Sequence, residues 1–120
     1  QAVLEGVTFA IRDSLEALKS AGTKIDRVTA IGGGSRSRYW LSSIATALDM
    51  PVDIPADGDF GAAFGAARLG LIAATGADPL SVCTAPQTAE TVEPVKALSS
   101  VYETAYGRYR ALYPAIRSLS

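Results

Sequence analysis

Histidine is absent from the 120-residue sequence, and cysteine occurs once. Roles that depend on an imidazole are therefore excluded, and Cys83 cannot form an internal disulfide, which fits a reducing cytoplasm. No set of cysteine, aspartate or glutamate residues has metal-ligand spacing, and no apolar run is long enough to span a membrane. The net charge of −1 favours neither a nucleic-acid nor a membrane partner. We expect the chain to bind no metal ion, nucleic acid or membrane, and to be cytoplasmic.

Apolar residues make up 48% of the sequence, which is enough for one folded domain with a real core. We therefore interpret residues 1–120 as a single domain. Gln1 is not an initiator methionine, and helical spacing begins within the first few residues. For this reason we expect the domain to be part of a longer chain.

The most informative stretch is an apolar run, residues 28–31, that ends in three glycines. Helical spacing resumes after Ser37, so the pattern predicts a strand, a tight turn and a helix N-terminus. Glycines allow positive φ and let a phosphate lie against main-chain N–H groups, and the helix start adds further donors. The predicted anion-binding residues are Gly32, Gly33, Gly34, Ser35, Arg36 and Ser37.

An alternative interpretation of this glycine turn is a sharp corner that serves only the fold. Two common nucleotide signatures are excluded here. A P-loop needs Gly-Lys-Ser/Thr after four intervening residues, and a dinucleotide fingerprint needs a third glycine where Ser37 stands. The residues alone therefore leave a corner and a nucleotide site both open.

Four segments of the first half have clear periodicities. A helix is predicted around residues 4–18, a strand from Arg27 to Ile31, a helix from Ser37 to Leu48, and a short strand from Pro51 to Pro55. The predicted core stripe of the first helix is Leu4, Val7, Ile11, Leu15 and Leu18. Strand, crossover helix and strand form a βαβ unit, so the two strands should be parallel. The proline at residue 51 predicts that the second strand lies at or near an edge.

Small residues characterise the next predicted helix, over residues 57–70, which opens with Asp57 and Asp59. Gly61 and Gly65 lie four residues apart, and a glycine inside a helix costs about 1 kcal/mol relative to alanine. We expect close packing of this small-residue face, against the glycine turn or another helix, to compensate.

The last third combines an aperiodic segment with a terminal helix. Residues 77–94 are rich in threonine, proline, serine and alanine, so irregular structure is predicted there. Helical spacing then predicts a final helix that packs back on the body. Its predicted apolar face consists of Leu98, Val101, Tyr102, Ala105, Tyr109, Leu112, Tyr113 and Ile116.

Several motifs together resemble one known family. The glycine turn and helix start at residues 32–40, the Gly-Ala-Ala helix at 61–69 and the opening helix at 4–10 resemble the C-terminal lobe of the FGGY carbohydrate kinases. The tyrosine-rich tail at residues 102–114 is most similar to the xylulokinase group of that family. The likeness covers nearly the whole chain.

The resemblance implies an α/β fold, a partial ribonuclease-H-like, actin-like ATPase lobe. The expected order is helix, strand, helix, strand, helix, irregular segment, helix, with a small parallel sheet. A complete lobe of this type begins with a three-stranded meander, and no such strands precede the first helix here. We therefore expect the chain to be the C-terminal fragment of a two-lobed sugar kinase.

The resemblance also implies which functional sites belong to this lobe and which to the rest of the kinase. The C-terminal lobe supplies much of the adenosine and phosphate site, so residues 32–37 would bind ATP, with Arg36 over the adenine and Ser37 at its edge. The catalytic aspartate, the ketopentose pocket and the Mg²⁺ carboxylates would belong to the rest of the kinase. The full-length enzyme would phosphorylate D-xylulose with ATP and Mg²⁺, whereas the isolated chain has no catalytic residue and should be inactive.

Three alternatives stay open. The chain could be a lobe of a non-kinase actin-like ATPase of the chaperone or sensor type, a kinase for another sugar or polyol, or a structural domain without a ligand. We also expect the isolated chain to form a homodimer, either through the open edge of the strand at residues 28–31 or by exchange of its first or last helix.

Overall fold

The computed structural model describes residues 1–56 and 61–117. The helices are α1 (Ala2–Ser20), α2 (Arg38–Leu48), α3 (Gly61–Thr75), the single-turn α4 (Pro79–Val82) and α5 (Ser99–Arg117). The strands are β1 (Val28–Thr29), β2 (Val52–Pro55) and β3 (Thr88–Val92), and 3-10 turns occupy Gly33–Arg36 and Lys96–Leu98. None of the helices in the described ranges has the length and apolarity needed to cross a membrane. The predicted acidic helix start at Asp57 and Asp59 lies outside these residues.

The sheet has the strand order β1-β2-β3 and is mixed. β1 and β2 are parallel, with Val28 opposite Val52, as the βαβ pattern predicts. β3 runs antiparallel to β2, with Val92 opposite Val52. The predicted parallel pairing is confirmed for β1 and β2. The irregular structure predicted for residues 77–94 is wrong at residues 88–92, where β3 makes the sheet mixed.

β3 lacks the alternation of apolar and polar residues by which strands are recognised. Its first four residues are exposed, and only Val92 packs against the core. The β-branched Thr88, Thr91 and Val92 nevertheless suit an extended backbone. Backbone pairing with β2, which no sequence pattern reveals, then fixes this segment as a strand.

β2 lies in the centre of the sheet, which contradicts the edge position predicted from Pro51. Pro51 precedes the strand, so its missing N–H removes no hydrogen bond from either ladder. Pro55 lies where the register with β3 shifts, between Ile54 and Pro55, and such irregularities tolerate proline. β1 and β3 are the two edge strands among the described residues. The edge position of β1 agrees with the open edge predicted at residues 28–31.

α2 packs against the sheet on one side and against α1 and α5 on the other, and seven of its 11 residues are buried. Leu41 and Ile44 pack with Leu15 of α1 and Val52 of β2 in the main core cluster. The predicted helix from Ser37 to Leu48 is confirmed, with its first residue as the N-cap.

A second, smaller cluster joins α1 to α5. Phe9 and Tyr106 are buried against Ala47 of α2, with ring centroids 5.9 Å apart. Neither aromatic residue belongs to a predicted apolar face, and Val7 and Leu18 of the predicted α1 stripe are exposed. The exposed members of the predicted α5 face are Leu98, Val101, Leu112, Tyr113 and Ile116. The predicted apolar faces of α1 and α5 are therefore wrong in part. Because α1 packs against both α2 and α5, its buried residues are not confined to one row along the helix.

α3 stands apart from this packing. None of its 15 residues, all of which the structure describes, is buried. A Cβ added at Gly65 would meet no atom within 4 Å, and one at Gly61 would meet Ile31 Cδ1 at 3.8 Å. The predicted close packing of the small-residue face is therefore wrong within the described chain.

Candidate functional site

The carboxyl ends of the two parallel strands lead into one cleft. After β1 the chain passes through Ile31, and after β2 through Ala56; both residues line a cavity of about 430 Å³. Ligand sites in α/β proteins commonly lie at this end of parallel strands. The other walls are residues 84–87 and the first half of α3. The α3 residues in the wall are Gly61, Phe64, Gly65 and Arg68.

The glycine turn follows Ile31 directly and is held by its own hydrogen bonds. Gly32 has a φ of 83°, which glycine adopts without strain. The amide and the hydroxyl of Ser35 both donate to the Gly32 carbonyl oxygen, at 3.0 and 2.7 Å. The Ser37 amide donates to the Gly34 carbonyl oxygen at 3.1 Å. The chain itself therefore determines the shape of the turn.

The three glycines differ in what surrounds them. Gly32 has the positive φ. A Cβ at Gly34 would lie 2.4 Å from the Trp40 ring, whose indole N–H donates to Thr8 Oγ1 at 3.1 Å. A Cβ at Gly33 would meet nothing within 4 Å. A Cβ at Gly32 would likewise meet nothing, so Gly32 and Gly33 are the positions at which a ligand has room to approach the main chain.

Three successive main-chain donors of the turn make no hydrogen bond within the described chain. Among residues 1–56 and 61–117, no hydrogen bond uses the amides of Gly32, Gly33 or Gly34. Successive amides of this kind form an anion-binding concavity. The amides of Ser35 and Ser37 are engaged inside the turn, so the anion site predicted over residues 32–37 depends on the unbonded glycine amides.

The start of α2 is capped and tied to the sheet. Ser37 is the N-cap, and its Oγ accepts from the Trp40 amide at 3.3 Å, which occupies one donor of the helix start. Arg38 forms a two-bond ion pair with Glu90 of β3. The hydrogen bonds from Arg38 lower the pKa of Glu90. Arg38 therefore anchors the helix, while Arg36 is exposed beside the turn.

A buried carboxylate joins the strands behind this turn. Asp53 of β2 accepts hydrogen bonds from the Thr91 hydroxyl and from Arg27 Nε, each at 2.7 Å. The bond from Thr91 and then the bond from Arg27 lower the pKa of Asp53. Asp53 is consequently a structural carboxylate that links β2 to β3 and to the residue before β1.

Among the described residues that line the cleft, Arg68 carries the charge. Its guanidinium lies 4.2 Å from the centroid of the Phe64 ring and donates to the Thr84 carbonyl oxygen at 2.9 Å. In the described part of the chain, no carboxylate lies within ion-pair distance of it. A positive charge among mostly apolar walls suits a ligand that has both an anionic and a flat apolar part.

The predicted anion-binding residues adjoin the cleft through Ile31. Among the described residues, none of positions 32–37 lines the cleft. Gly34 and Ser35 line a separate cavity of about 300 Å³ beside Trp40. Sequence patterns do not single out residues 84–87, which depend on tertiary contact. The i, i+4 spacing of phenylalanine and arginine on α3 was the available signal for the other wall.

The first comparison with known proteins identifies the family. Residues 1–74 match the family model described as the FGGY family of carbohydrate kinases, C-terminal domain. The chain belongs to this family of carbohydrate kinases, as the resemblance predicts.

Several xylulose kinases are similar to this chain. The Escherichia coli (strain K12) protein is 46% identical over 74 residues, which are 62% of this chain and 15% of that protein. The crystal structure of a xyloylose kinase from Brucella ovis is 69% identical with a TM-score of 0.87, covering 100% of this chain and 25% of that one. The crystal structure of xylulose kinase from Rhodospirillum rubrum is 31% identical with a TM-score of 0.77, covering 98% of this chain and 24% of that one. These likenesses confirm the predicted actin-like ATPase fold, and the chain spans a quarter or less of each of these relatives.

Proposed function

We propose that this chain is the ATP-side part of a longer sugar kinase, which transfers the γ-phosphoryl group of ATP to D-xylulose and forms D-xylulose 5-phosphate. The observation that carries the proposal is the similarity to xylulose kinases, at 46% identity over 74 residues in one relative. The glycine turn and the adjoining cleft support a nucleotide as the ligand of this part.

The residues present fit a nucleotide. The unbonded glycine amides of the turn offer donors to phosphate oxygens, and the space beside Gly33 allows close approach. Phe64 adds an apolar surface to the wall of the cleft, with Arg68 packed against its ring. ATP supplies the phosphoryl group when bound, whereas the glycine turn and Phe64 bind and orient it, which in such reactions provides most of the catalysis. Arg36 and Ser37, implied as adenine contacts by the resemblance, stay in that role in the proposal.

Mg²⁺ and the catalytic base are assigned to the rest of the kinase. Hard cations such as Mg²⁺ take carboxylate ligands, and the described residues hold no group of three or more His, Cys, Asp or Glu side chains that could bind a metal ion. Asp53 is engaged by Arg27 and Thr91. We therefore expect this chain to bind nucleotide and to perform no proton transfer.

A sugar panel on the full-length kinase tests the function. With ATP and Mg²⁺, phosphorylation of D-xylulose should exceed that of other ketoses, aldoses and polyols. The isolated chain, assayed in parallel, should give no turnover above a buffer blank. A preference for a different sugar would overturn the substrate, and ATP hydrolysis without any acceptor would indicate a chaperone- or sensor-type ATPase instead.

The proposal also includes a cytoplasmic location and self-association of the isolated chain. Cys83 is exposed as a free thiol, which suits a reducing compartment. β1 is an edge strand; Thr29 within it and Ile31 two residues after it are exposed. Because open strand edges pair with other chains, sedimentation at micromolar concentration should show twice the chain mass. A stable monomer would mean that the helices protect this edge unaided.

A further inference from the structure

We infer that Arg68 is a positioning residue for the nucleotide site, because it fastens residues 84–87 to α3 and so sets the width of the cleft between them. The inference rests on the proposed function in assigning the cleft to a nucleotide. It concerns a residue outside the glycine turn, and its effect is transmitted through the segment that it holds.

One planar side chain contacts both walls of the cleft. On the α3 side, the guanidinium of Arg68 lies 4.2 Å from the Phe64 ring centroid, in cation–π geometry. On the other side, Nη1 donates to the Thr84 carbonyl oxygen at 2.9 Å, and Nη2 lies 3.4 Å from Thr84 Oγ1 as a weaker second donor. The rigid fork of arginine permits this double use, because two of its donors point in one direction while its face stays flat.

The segment that Arg68 holds has few other attachments. On its N-terminal side, the Cys83 amide donates to the Pro79 carbonyl oxygen at 2.8 Å, within the α4 turn. On its C-terminal side, the Gln87 carbonyl oxygen accepts from the Ala56 amide at 2.9 Å. Between these points Pro86 has no N–H to donate. Among the described residues, the bonds from Arg68 are the hydrogen bonds that join this segment to α3.

The partners of Arg68 also make the side chain replaceable without collapse of the fold. Arg68 bonds to neutral groups, and no carboxylate in the described ranges would lose an ion partner on its removal. Arg68 is only partly buried, and α3 contains no buried residue. Removal of the side chain should therefore loosen one wall of the cleft and leave the core cluster around α2 intact.

The first arm of the test measures the wall directly in this chain. In Arg68→Ala, the backbone ¹⁵N order parameters of Thr84, Ala85 and Gln87 should fall from about 0.85 to below about 0.6. Arg108→Ala removes the same charge from an exposed position on α5 and serves as the matched control, with unchanged values. Arg68→Lys should restore part of the order, since an ammonium can donate to the Thr84 carbonyl but cannot also lie flat on the ring. Unchanged order parameters in Arg68→Ala would overturn the inference.

The second arm measures the consequence in the full-length kinase. Arg68→Ala should raise the KM for ATP about tenfold, the effect of losing hydrogen bonds from a charged group, with kcat and the KM for sugar unchanged. An unchanged KM for ATP would overturn the positioning role even if the segment loosens. If the wild-type enzyme does not use ATP, the proposed function falls and the nucleotide role of Arg68 with it, whereas the relaxation data still decide whether Arg68 holds residues 84–87.

Discussion

Two apolar helices of this chain have opposite environments. Seven of the 11 residues of α2 are buried, whereas none of the 15 residues of α3, all of them described, is buried. Each helix carries a single charged residue, Arg38 in α2 and Arg68 in α3. The helices differ in their neighbours, since α2 contacts the sheet, α1 and α5, and α3 contacts chiefly α4. Apolar composition therefore does not decide which helix enters the core.

The chain is more extended than a compact domain of its length. The radius of gyration is 17.5 Å, whereas a compact domain of this length has about 14 Å. A helix that is apolar on all sides is normally covered by other protein. Under the proposed function, we expect the rest of the kinase to cover α3. The difference in burial between α2 and α3 would then exist only in the isolated chain.

The largest expected difference between the two helices is in core truncation. Leu41 of α2 is 1% exposed and Leu69 of α3 is 66% exposed. Leu41→Ala should lower the free energy of unfolding by about 2 to 5 kcal/mol, because it leaves a cavity in the main cluster. Leu69→Ala should change it by less than about 0.5 kcal/mol. Urea unfolding of both variants tests this, and equal losses would show that α3 is packed in solution.

A glycine at each helix provides a second matched pair. Gly34→Ala should destabilise the chain by about 1 to 3 kcal/mol, since its Cβ would displace the Trp40 ring from its bond to Thr8. Gly65→Ala meets no atom within 4 Å and should stabilise α3 by up to about 1 kcal/mol. Thermal unfolding should show a lower melting temperature for Gly34→Ala and a higher one for Gly65→Ala. Destabilisation by Gly65→Ala would mean that another part of the chain packs on that face.

A substitution in the glycine turn before α2 should weaken ligand binding with little effect on folding. Gly33→Val should weaken ATP binding to the full-length kinase by about 1 to 3 kcal/mol, through loss of approach to the unbonded glycine amides. The positive φ belongs to Gly32 and not to Gly33, so little backbone strain is expected and sugar binding should be nearly intact. Calorimetric titration of both ligands measures this. Equal ATP affinity in variant and wild type would remove the turn from the nucleotide site.

The smallest expected effect is on the loss of folding stability at low pH. Hydrogen bonds from Thr91 and Arg27 lower the pKa of Asp53 below the value of about 3.9 in unfolded chains. Its contribution to stability is therefore present above about pH 4 and is lost as the pH falls through the folded pKa. Asp53→Asn should be less stable at pH 7 and should lose less stability on acidification. α3 has no carboxylate, so Leu69→Ala should keep the wild-type acid profile.

Acid sensitivity should not vanish in Asp53→Asn, because other carboxylates of the body are paired as well. Hydrogen bonds from Lys96, Arg38 and Arg12 lower the pKa values of Asp49, Glu90 and Glu103, respectively. Unfolding by urea at several pH values between 2 and 7 would separate the contributions. An unchanged acid profile in Asp53→Asn would contradict the structural role of this carboxylate.

Local patterns were sufficient for part of the fold. The strand, glycine turn and helix over residues 28–48 were predicted because glycines, the N-cap serine and helical spacing act between near neighbours in sequence. β3 was not predicted, since four of its five residues are exposed and backbone pairing with β2 holds it. The same limit applies to Phe9 and Tyr106, whose burial depends on how α1 and α5 cross.

The sequence by itself determined the family, the parallel βαβ unit and the glycine turn, because each depends on residue types at short spacing. Only the tertiary structure decided that β2 is central and that the glycine amides of the turn are unbonded within the described chain. It likewise brought Arg68 to Thr84, across 16 residues of chain. Such contacts join segments distant in sequence, and their free energy depends on the packing of whole elements, which no local pattern contains.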